Sequence, residues 1–581
     1  MLEQSCMANL LLIQLFKFLY MRKKKDYQNN SVSSKTSNHK ILKLSLVIVF
    51  VVILQISYII YESKCTEPGF PLDDPWIHMQ FAKNIANGNG FSYNPDQLVA
   101  GSTAPLWTIM LVPVHWFVPT IPSRVIFTKI LGIFIFVVCL VLVFFFAFEI
   151  TKDSYPALFA TFAVGTNVHL NWGAISGLEI PLYVMLTILI LYLNHKSINN
   201  AKVSRRYILS VLLGLSIYAR PECGLLFLFY LIDNFLFLKR PKKEAVSTVL
   251  IFSAILILYF IFNYTLSGSI FPNTFRVKAQ ANSLITALLT MNTRHLMWLI
   301  FKMTPAYFGQ FLAHLFKANP LFVIGAFIGA IIIISRRLQF KTDRPSMMLV
   351  FTSFLYAPLI GLISPFISAD FHEGRYIANQ IASASLLSVL GFYWLFQMLK
   401  KQMAKKPLNI MLGILCGIFL YNTIVAQVFM IKFYASNVKS INEIQVKAGK
   451  WIKKYTPHDA IIAVNDVGAI AYFSNRNIID LCGLVTPEII NYFNRYKNNK
   501  IGAYYYVLEK KPDYLVIFPR WFPGLTDTNQ FQILHRIRYD KNTASEWVFI
   551  PDVESYFGII LKKLKVKPLS SEKWILKFKK S

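Results

Sequence analysis

Acidic residues are scarce in this sequence. Its 581 residues contain 29 Asp and Glu against 60 Lys and Arg, which gives a formal net charge of +31. The positive residues cluster in short loops between hydrophobic runs, a pattern that reports membrane topology. No stripe of Lys and Arg interleaved with exposed aromatic residues occurs in a polar stretch, so the charge does not indicate nucleic-acid binding.

Metal and nucleotide motifs are also missing. The six cysteines form no CxxC pair, which argues against a zinc or redox site and predicts free thiols. No GxGxxG pattern occurs in the polar C-terminal part, so nucleotide binding is not indicated. No His/Cys cluster supports a transition metal, and two carboxylates alone are weak evidence for Mg²⁺ or Mn²⁺. We therefore predict no metal site and no cofactor, with a divalent cation as the open alternative.

Long apolar runs dominate what is present. Hydrophobic residues make up 55% of the chain and the mean hydropathy is +0.46, which is too apolar for a soluble globule. A helix needs about 20 mostly apolar residues to cross a bilayer. Such runs occur at 41–61, 122–149, 155–171, 179–194, 206–219, 222–238, 245–264, 319–335, 346–367, 376–399 and 407–432. They predict a polytopic α-helical membrane protein with about 11 to 13 transmembrane helices.

Loop charge predicts the orientation of these spans. If the N-terminal segment 1–40 is cytoplasmic, alternation of the spans places every strongly basic loop in the cytoplasm too. These loops are 196–206, 239–243, 336–344 and 400–406. The scheme requires Ala104–Val118 and His295–Leu315 not to cross the bilayer fully. It predicts a multi-pass protein of the plasma (inner) membrane.

The same alternation places the polar motifs on one face of the membrane. The outer loops are 62–103, 171–179, 220–222, 267–294 and 370–375. We predict a transmembrane domain over 41–432, with an outer catalytic loop at 62–121, followed by an extracytoplasmic α/β domain over 433–581. In that last domain a helix is predicted over 441–455. Strands are predicted from apolar runs at 460–464, 477–481, 513–518, 547–550 and 557–561.

Two adjacent carboxylates begin a helix in the first outer loop. Asp73 or Asp74 can cap the helix that Pro75 opens, because Asp is a good N-cap and Pro is favoured in the first turn. A helix needs only one such cap. The second carboxylate, at a membrane surface, therefore predicts a chemical role.

The first outer loop contains an acidic pair, an aromatic residue, a helix, a Gly-Asn-Gly turn, Asn-Pro, and then Pro-Leu-Trp. In this order of features it resembles the first outer loop of the polytopic glycosyltransferases of the GT-C class, most closely the branch that contains the cell-wall arabinofuranosyltransferases. Further fragments match in the same order: Ser176–Glu179 with Pro181–Tyr183, Ala219–Glu222, Phe271–Phe275 with Lys278, Gly374–Tyr376, and Asn465–Ala469 with Asp480–Leu484. Two positions depart from the pattern, Cys223 and Ala104.

The resemblance implies an inverting membrane glycosyltransferase. Such an enzyme would move a sugar from a polyprenyl-phosphate donor to an extracytoplasmic glycan, lipid or protein acceptor. Two alternatives stay open, a lipid-linked oligosaccharide ligase or polymerase and a secondary transporter. The transporter alternative would require an internal repeat with broken helices, and the sequence shows none.

Sugar transfer needs a carboxylate that accepts the proton of the attacking hydroxyl. We expect Asp73 first, and Asp74 next, to be this general base. The departing lipid phosphate needs cations placed beforehand. The outer-face candidates are Arg220, Arg276, Lys278 and Arg375. Arg220 is otherwise a snorkelling anchor at a helix end, and Arg375 otherwise pairs with its acidic neighbour in solvent.

Three further side chains are candidate substrate ligands. Glu179 begins a span, either as a charge favoured by the helix dipole or as an acceptor for sugar hydroxyls, and its motif favours the second role. Glu222 belongs to the matched Arg-Pro-Glu fragment. His78 lies one turn after Asp74 and either faces the same cleft or lies at the membrane interface.

Overall fold

The computed structural model describes residues 31–199, 203–239, 241–278, 282–338, 346–365, 372–526, 531–538 and 572–578. The chain divides into two compact units, residues 1–50 and 51–581. The described part of the first unit is helical, and every site discussed below lies in the second unit. The strands predicted at 547–550 and 557–561 lie outside the described residues.

Helices make up most of the described chain. Up to residue 278 the α-helices are Ser31–Cys65, Asp74–Ala86, Pro105–Met110, Val112–Phe117, Ile121–Thr151, Ser154–Gly165, Val168–Ile175, Ile180–Asn199, Val203–Ala219, Gly224–Ile232, Lys242–Ser267 and Asn273–Lys278. The later ones are Leu284–Leu289, Thr293–Trp298, Thr304–Ala318, Pro320–Leu338, Met347–Phe354, Tyr356–Ile363, Ala378–Leu399, Lys405–Ile441, Lys447–Tyr455, Gly468–Ser474, Ile489–Tyr496, Asn499–Lys510 and Pro523–Thr526.

Short segments of other helix types join some of these helices. The 3₁₀ turns are Pro221–Cys223 and Arg375–Ile377, and the π-helical segments are Asp233–Phe237, Leu299–Met303 and Asn442–Val446. The last π segment links Lys405–Ile441 to Lys447–Tyr455 without a break. The helix therefore runs past residue 432, and the domain boundary placed there stays a prediction.

Within the described residues, six helices are long and apolar enough to cross a membrane: Lys40–Cys65, Ile121–Thr151, Ile180–Ile198, Lys243–Ser267, Arg375–Leu399 and Lys405–Tyr455. The stretch Ala104–Val118, expected not to cross, forms two short helices that meet at Leu111. At 1.5 Å per residue, each rises about 9 Å, far less than the hydrocarbon core of about 30 Å. The full number of spans stays a prediction.

The C-terminal region contains a five-stranded mixed sheet. Its strands are β1 Ile461–Val464, β2 Asn477–Asp480, β3 Tyr514–Ile517, β4 Phe531–Arg538 and β5 Glu572–Phe578. Their order is β2-β1-β3-β5-β4, with β1 parallel to β2 and β3, and β5 antiparallel to β3 and β4. The first three strands coincide with predicted apolar runs. No such run marks β4, because most of its side chains are exposed.

The loops after β1 and β2 lie at one edge of the sheet, because these parallel strands end there together. The loop after β1 leads into helix Gly468–Ser474. In the loop after β2, the buried Asp480 carboxylate accepts hydrogen bonds from the backbone N–H groups of Cys482, Leu484 and Val485, at 2.7, 2.5 and 3.0 Å. Both loops contact the membrane part of the chain near the first outer loop.

A buried ion pair ties the start of that outer loop to a membrane helix. The Lys129 ammonium lies 2.5 and 2.7 Å from the two carboxylate oxygens of Glu62, and both residues are buried. Glu62 also accepts a hydrogen bond from the backbone N–H of Gly69, at 3.1 Å. The pair therefore fixes the point where the chain leaves the first span.

Replacing Lys129 with methionine is expected to lower the free energy of unfolding by about 3–5 kcal/mol, because Glu62 would be buried without a partner. The double variant Glu62→Leu/Lys129→Met should recover most of this loss. Denaturant titration of the purified protein in detergent measures both. Equal losses in the single and double variants would contradict the coupling.

Candidate active site

The two carboxylates at the start of the loop helix, Asp74–Ala86, contact different partners. Asp73 is the N-cap residue, but its side chain makes no bond to its own helix. Its oxygens accept hydrogen bonds from the backbone N–H groups of Gly468 and Ala469, at 2.7 and 2.8 Å. Asp74 instead lines a cavity and accepts a hydrogen bond from Arg375 at 3.0 Å. The acidic pair is thus divided between the C-terminal region and the cavity.

Arg375 bridges two carboxylates. Its Nη1 donates to Asp74, while its Nε and Nη2 donate to the two oxygens of Glu179 at 3.0 and 3.1 Å. This bidentate contact and the third hydrogen bond use all three nitrogens of the planar guanidinium. Glu179 is fully buried and precedes the helix that begins at Ile180. The geometry explains how a carboxylate persists there, since a buried charge needs a partner.

Arg220 repeats this arrangement on the other side of Glu179. It donates to Glu179 through Nη1, and to the two oxygens of Glu222 through Nε and Nη2 at 3.0 and 2.8 Å. Its guanidinium carbon lies 4.6 Å from the centre of the Tyr376 ring, a cation–π contact. Arg220 is buried and contacts two carboxylates, so it is not a snorkelling anchor.

A cavity of about 290 Å³ adjoins this network. Six of the predicted site residues line it: Asp74, His78, Arg220, Glu222, Lys278 and Arg375. They come from the loop helix, the 3₁₀ turns Pro221–Cys223 and Arg375–Ile377 with their flanks, and helix Asn273–Lys278. Segments far apart in the chain therefore meet at one place.

Three of the predicted site residues do not line the cavity. Glu179 lies behind the two arginines and does not line the cavity. Asp73, the first choice for the general base, bonds to the C-terminal region and does not line the cavity. Arg276 is also absent from the lining, although Lys278 of the same short helix is present. His78 reaches the network, with its Nε2 3.5 Å from Glu179 and its Nδ1 2.9 Å from the Thr108 hydroxyl.

The rest of the cavity wall is largely apolar, and sequence reasoning gave none of its apolar side chains a role at the site. Leu225 lines it from helix Gly224–Ile232, and Ile360 and Ile363 line it from helix Tyr356–Ile363. Phe275 of helix Asn273–Lys278 and Leu484 complete this apolar part. Leu484 is supplied by the loop that Asp480 holds. Single apolar residues carry no signal of their own in a hydrophobic sequence. Only the matched fragment Asp480–Leu484 pointed to this loop.

The surroundings of Asp73 and Asp74 shift the pKa values of these neighbouring carboxyl groups in opposite directions. Burial and the nearby Asp466 carboxylate raise the pKa of Asp73 to about 7. Burial also favours the neutral form of Asp74, but the charge of Arg375 outweighs it and holds the pKa of Asp74 well below its usual range. Asp74 is therefore a carboxylate at neutral pH.

A strained turn presents Arg375 to the cavity. His372, Glu373 and Gly374 have φ angles of 53°, 55° and 74°, in the left-handed region that non-glycine residues disfavour. Glu373 lies 3.4 Å from Nδ1 of the buried His169, a contact that holds the turn. Glu373 therefore pairs with His169 and leaves Arg375 to Asp74 and Glu179.

The carboxylates of the site are already bound to cations of the protein. Asp74 and Glu179 share the guanidinium of Arg375, so a divalent ion at these oxygens would compete with it. Among the residues that the structure describes, no group of three or more His, Cys, Asp and Glu side chains is arranged to hold a metal. A cation bound by Asp74 would have to share that carboxylate with Arg375.

Residues 436–561 match the family described as a domain of unknown function, DUF8728. A comparison with curated proteins finds no match. Among solved structures, the apo oligosaccharyltransferase of Archaeoglobus fulgidus has a TM-score of 0.56 and 12% identity, covering 81% of this chain and 69% of that chain. The archaeal oligosaccharyltransferase AglB from the same organism, in complex with an inhibitory peptide and a dolichol-phosphate, has a TM-score of 0.55 and 13% identity, covering 82% and 69%.

A bacterial structure is similar too. ArnT from Cupriavidus metallidurans, bound to undecaprenyl phosphate, has a TM-score of 0.51 and 10% identity, covering 84% of this chain and 96% of that chain. A further structure of the Archaeoglobus fulgidus enzyme is a complex with Zn and sulfate. At such low identity the likeness defines the fold alone. The chain is therefore a polytopic α-helical membrane protein with a GT-C fold and a small C-terminal sheet.

Proposed function

We propose that this chain is an integral-membrane glycosyltransferase that transfers a sugar from a polyprenyl-phosphate donor to a glycan, lipid or protein acceptor outside the plasma membrane. One observation carries the proposal: Asp74 lines the same cavity as the three cations Arg220, Lys278 and Arg375. Neighbours that bind dolichol-phosphate and undecaprenyl phosphate support this class of donor. Within the GT-C class, the order of the sequence motifs favours the arabinofuranosyltransferase branch.

The cavity supplies both halves of the reaction. Asp74 accepts the proton of the acceptor hydroxyl while the oxygen of that hydroxyl attacks the anomeric carbon of the donor sugar. The bond from that carbon to the phosphate oxygen breaks, polyprenyl phosphate leaves with the electron pair, and the configuration inverts. Lys278 and the arginines stabilise the charge that develops on the phosphate. In this scheme the chain's own cations serve the leaving group, and a divalent cation is not needed.

Donor binding would also make Asp74 a stronger base. Arg375 is the main partner of Asp74, and a guanidinium binds phosphate oxygens as well as carboxylates. A donor phosphate in the cavity would compete for Arg375. Asp74 would then lose its strongest stabilising charge and become a better proton acceptor, at the moment when the donor is in place.

A lipid-linked oligosaccharide ligase is the second candidate. It is favoured by the likeness to an oligosaccharyltransferase, whose fold aligns over 81% of this chain. The two functions share the cavity and the phosphate-binding cations, and they differ in the donor. The GT-C fold supports either of them over a secondary transporter.

A panel of lipid-linked donors tests the proposal. Purified protein in nanodiscs is incubated with polyprenyl-phosphate monosaccharides, including a pentofuranose, and with polyprenyl-linked oligosaccharides, and the release of free carrier phosphate is measured. Release from a monosaccharide donor supports the first function. Release from oligosaccharide donors alone supports the second, and no release from any donor, in the presence of varied acceptors, contradicts both.

Asp73 has a positioning role in this proposal. Its contact with Gly468 and Ala469 fixes the first residue of the loop helix, and therefore the backbone that carries Asp74. The approach is close enough to require glycine: a Cβ on residue 468 would lie 2.1 Å from the backbone oxygen of Asp73. The C-terminal region would thus hold the base in place without touching the reacting atoms.

Replacing Asp73 with alanine, or Gly468 with alanine, is expected to lower kcat by about 10- to 100-fold through misplacement of Asp74. Donor KM should change little, and Asp73→Asn should retain more activity than Asp73→Ala because an amide oxygen can still accept one bond. The control is Asp96→Asn, an exposed acid in the same loop. A loss confined to donor KM would contradict the positioning role.

A further inference from the structure

A second group of cations lies at the opposite end of the loop helix from Asp74. Lys83, in the last turn of that helix, has its ammonium 5.4 Å from the centre of the Tyr472 ring. Arg124 donates to the Tyr472 hydroxyl at 3.3 Å, and His115 Nε2 lies 3.2 Å from the same oxygen. Side chains from three membrane-side elements thus converge on one tyrosine of helix Gly468–Ser474.

These cations are oriented by neutral groups. The Lys83 ammonium donates to the Asn475 side-chain oxygen, and Arg124 Nε donates to the carbonyl of Val118 at 2.7 Å. Neither side chain forms an ion pair with a carboxylate among the described residues. Their position is therefore set, but their charge is not balanced.

The neighbouring charges increase the imbalance. Burial, followed by the charges of Arg124 and Lys453, lowers the pKa of Lys83 to about 8. Burial lowers the pKa of His115 to about 4, so this imidazole is neutral at pH 7. We name three of these residues the cationic cluster: Lys83, Arg124 and Lys453. The cluster concentrates positive charge at one place, which favours an anionic ligand.

The apolar surroundings identify the kind of ligand. Arg124 lies in the first turn of helix Ile121–Thr151, one of the membrane-crossing candidates. Further along that helix, Phe127 and Phe134 are 49% and 63% exposed, as expected for side chains that face lipid. The aromatic Phe117, just before the helix, is 79% exposed, which is typical of the membrane–water interface. The cationic cluster therefore stands directly above a lipid-facing strip.

We propose that the cationic cluster binds the phosphate of an anionic phospholipid, whose acyl chains lie along Phe127 and Phe134. A free phosphate would use the charges alone, whereas a phospholipid uses both the charges and the apolar strip beneath them. Lys83 and Arg124 supply donors to the phosphate oxygens, and basic residues near a membrane surface attract anionic lipid. The bound lipid would join helix Gly468–Ser474 to the membrane surface.

The experiment measures lipid binding, so its outcome is independent of the proposed activity. Purified full-length protein is stripped of lipid in neutral detergent, and its melting temperature is followed on addition of phosphatidylglycerol, phosphatidylcholine or inorganic phosphate. We expect phosphatidylglycerol alone to raise the melting temperature. Equal effects of the two lipids, or an equal effect of inorganic phosphate, would overturn the proposal.

Variants then locate the site. The double variant Lys83→Gln/Arg124→Gln is expected to weaken phosphatidylglycerol binding by about 10-fold or more, since it removes two charge-assisted contacts. Lys453→Gln, on an exposed side chain, leaves the packing intact and should weaken binding more modestly. The matched control is Lys500→Gln, an exposed lysine of the C-terminal region. If Lys453→Gln and the folded double variant both bind phosphatidylglycerol as the unchanged protein does, the lipid lies elsewhere.

Discussion

Asp74→Asn is expected to lower kcat by about 10²- to 10⁴-fold, the usual contribution of a positioned general base. Asparagine keeps the shape of the side chain and can still accept the hydrogen bond from Arg375, so the cavity should persist. What it cannot do is take the proton of the acceptor hydroxyl. Donor affinity should therefore stay close to that of the unchanged protein, and the loss should appear in turnover.

The comparison with Asp73→Asn makes this test specific. Both variants replace a carboxyl group with an amide at the start of the same helix, and only Asp74 lines the cavity. Single-turnover release of carrier phosphate separates the chemical step from donor binding. Normal turnover by Asp74→Asn, or a larger loss in Asp73→Asn, would contradict the assignment of Asp74 as the base.

Arg375→Gln is expected to lower kcat/KM by about 10²- to 10³-fold, as found when one preorganised donor to a developing anion is removed. The guanidinium makes three hydrogen bonds to two carboxylates, and glutamine cannot replace them. Arg375→Lys should also be impaired, because an ammonium binds as a point charge. The matched control is Arg276→Gln, an arginine of helix Asn273–Lys278 that does not line the cavity. Equal losses in both variants would contradict a specific role for Arg375.

Arg375→Gln is also expected to shift the pH dependence of kcat/KM. Arg375 holds the pKa of Asp74 well below its usual range, whereas burial alone would raise it. The active form is the carboxylate, so activity is lost as pH falls through this pKa. In Arg375→Gln the pKa rises, and the acidic limb of kcat/KM should move to higher pH than in the unchanged protein. A profile of kcat/KM against pH for both proteins measures this shift.

The structure places most of the residues selected by loop charge and motif order around one cavity. Six of nine candidate residues line one cavity, although they come from segments as far apart as Asp74 and Arg375. One motif pairs charges within itself: Glu222 and Arg220 are two positions apart and form a bidentate pair. Such local pairs can be recognised in a sequence. The GT-C fold class, predicted from the same fragments, is confirmed.

The choice between Asp73 and Asp74 could not be made from the sequence. It depends on the backbone amides of Gly468 and Ala469, which lie 395 and 396 positions away. Adjacent residues at a helix start differ only in direction, and packing against the C-terminal region decides that direction. Lys278 and Arg276 pose the same problem, since two positions on one short helix face different surroundings.

A structure of the Asp74→Asn variant with a bound polyprenyl-phosphate sugar would test the central claim most directly. We expect the phosphate to contact Arg375 and Lys278, and the sugar to lie between this phosphate and residue 74. The guanidinium of Arg375 should have turned from residue 74 toward the phosphate. A donor bound outside the cavity, or with its phosphate away from all three cations, would contradict the account.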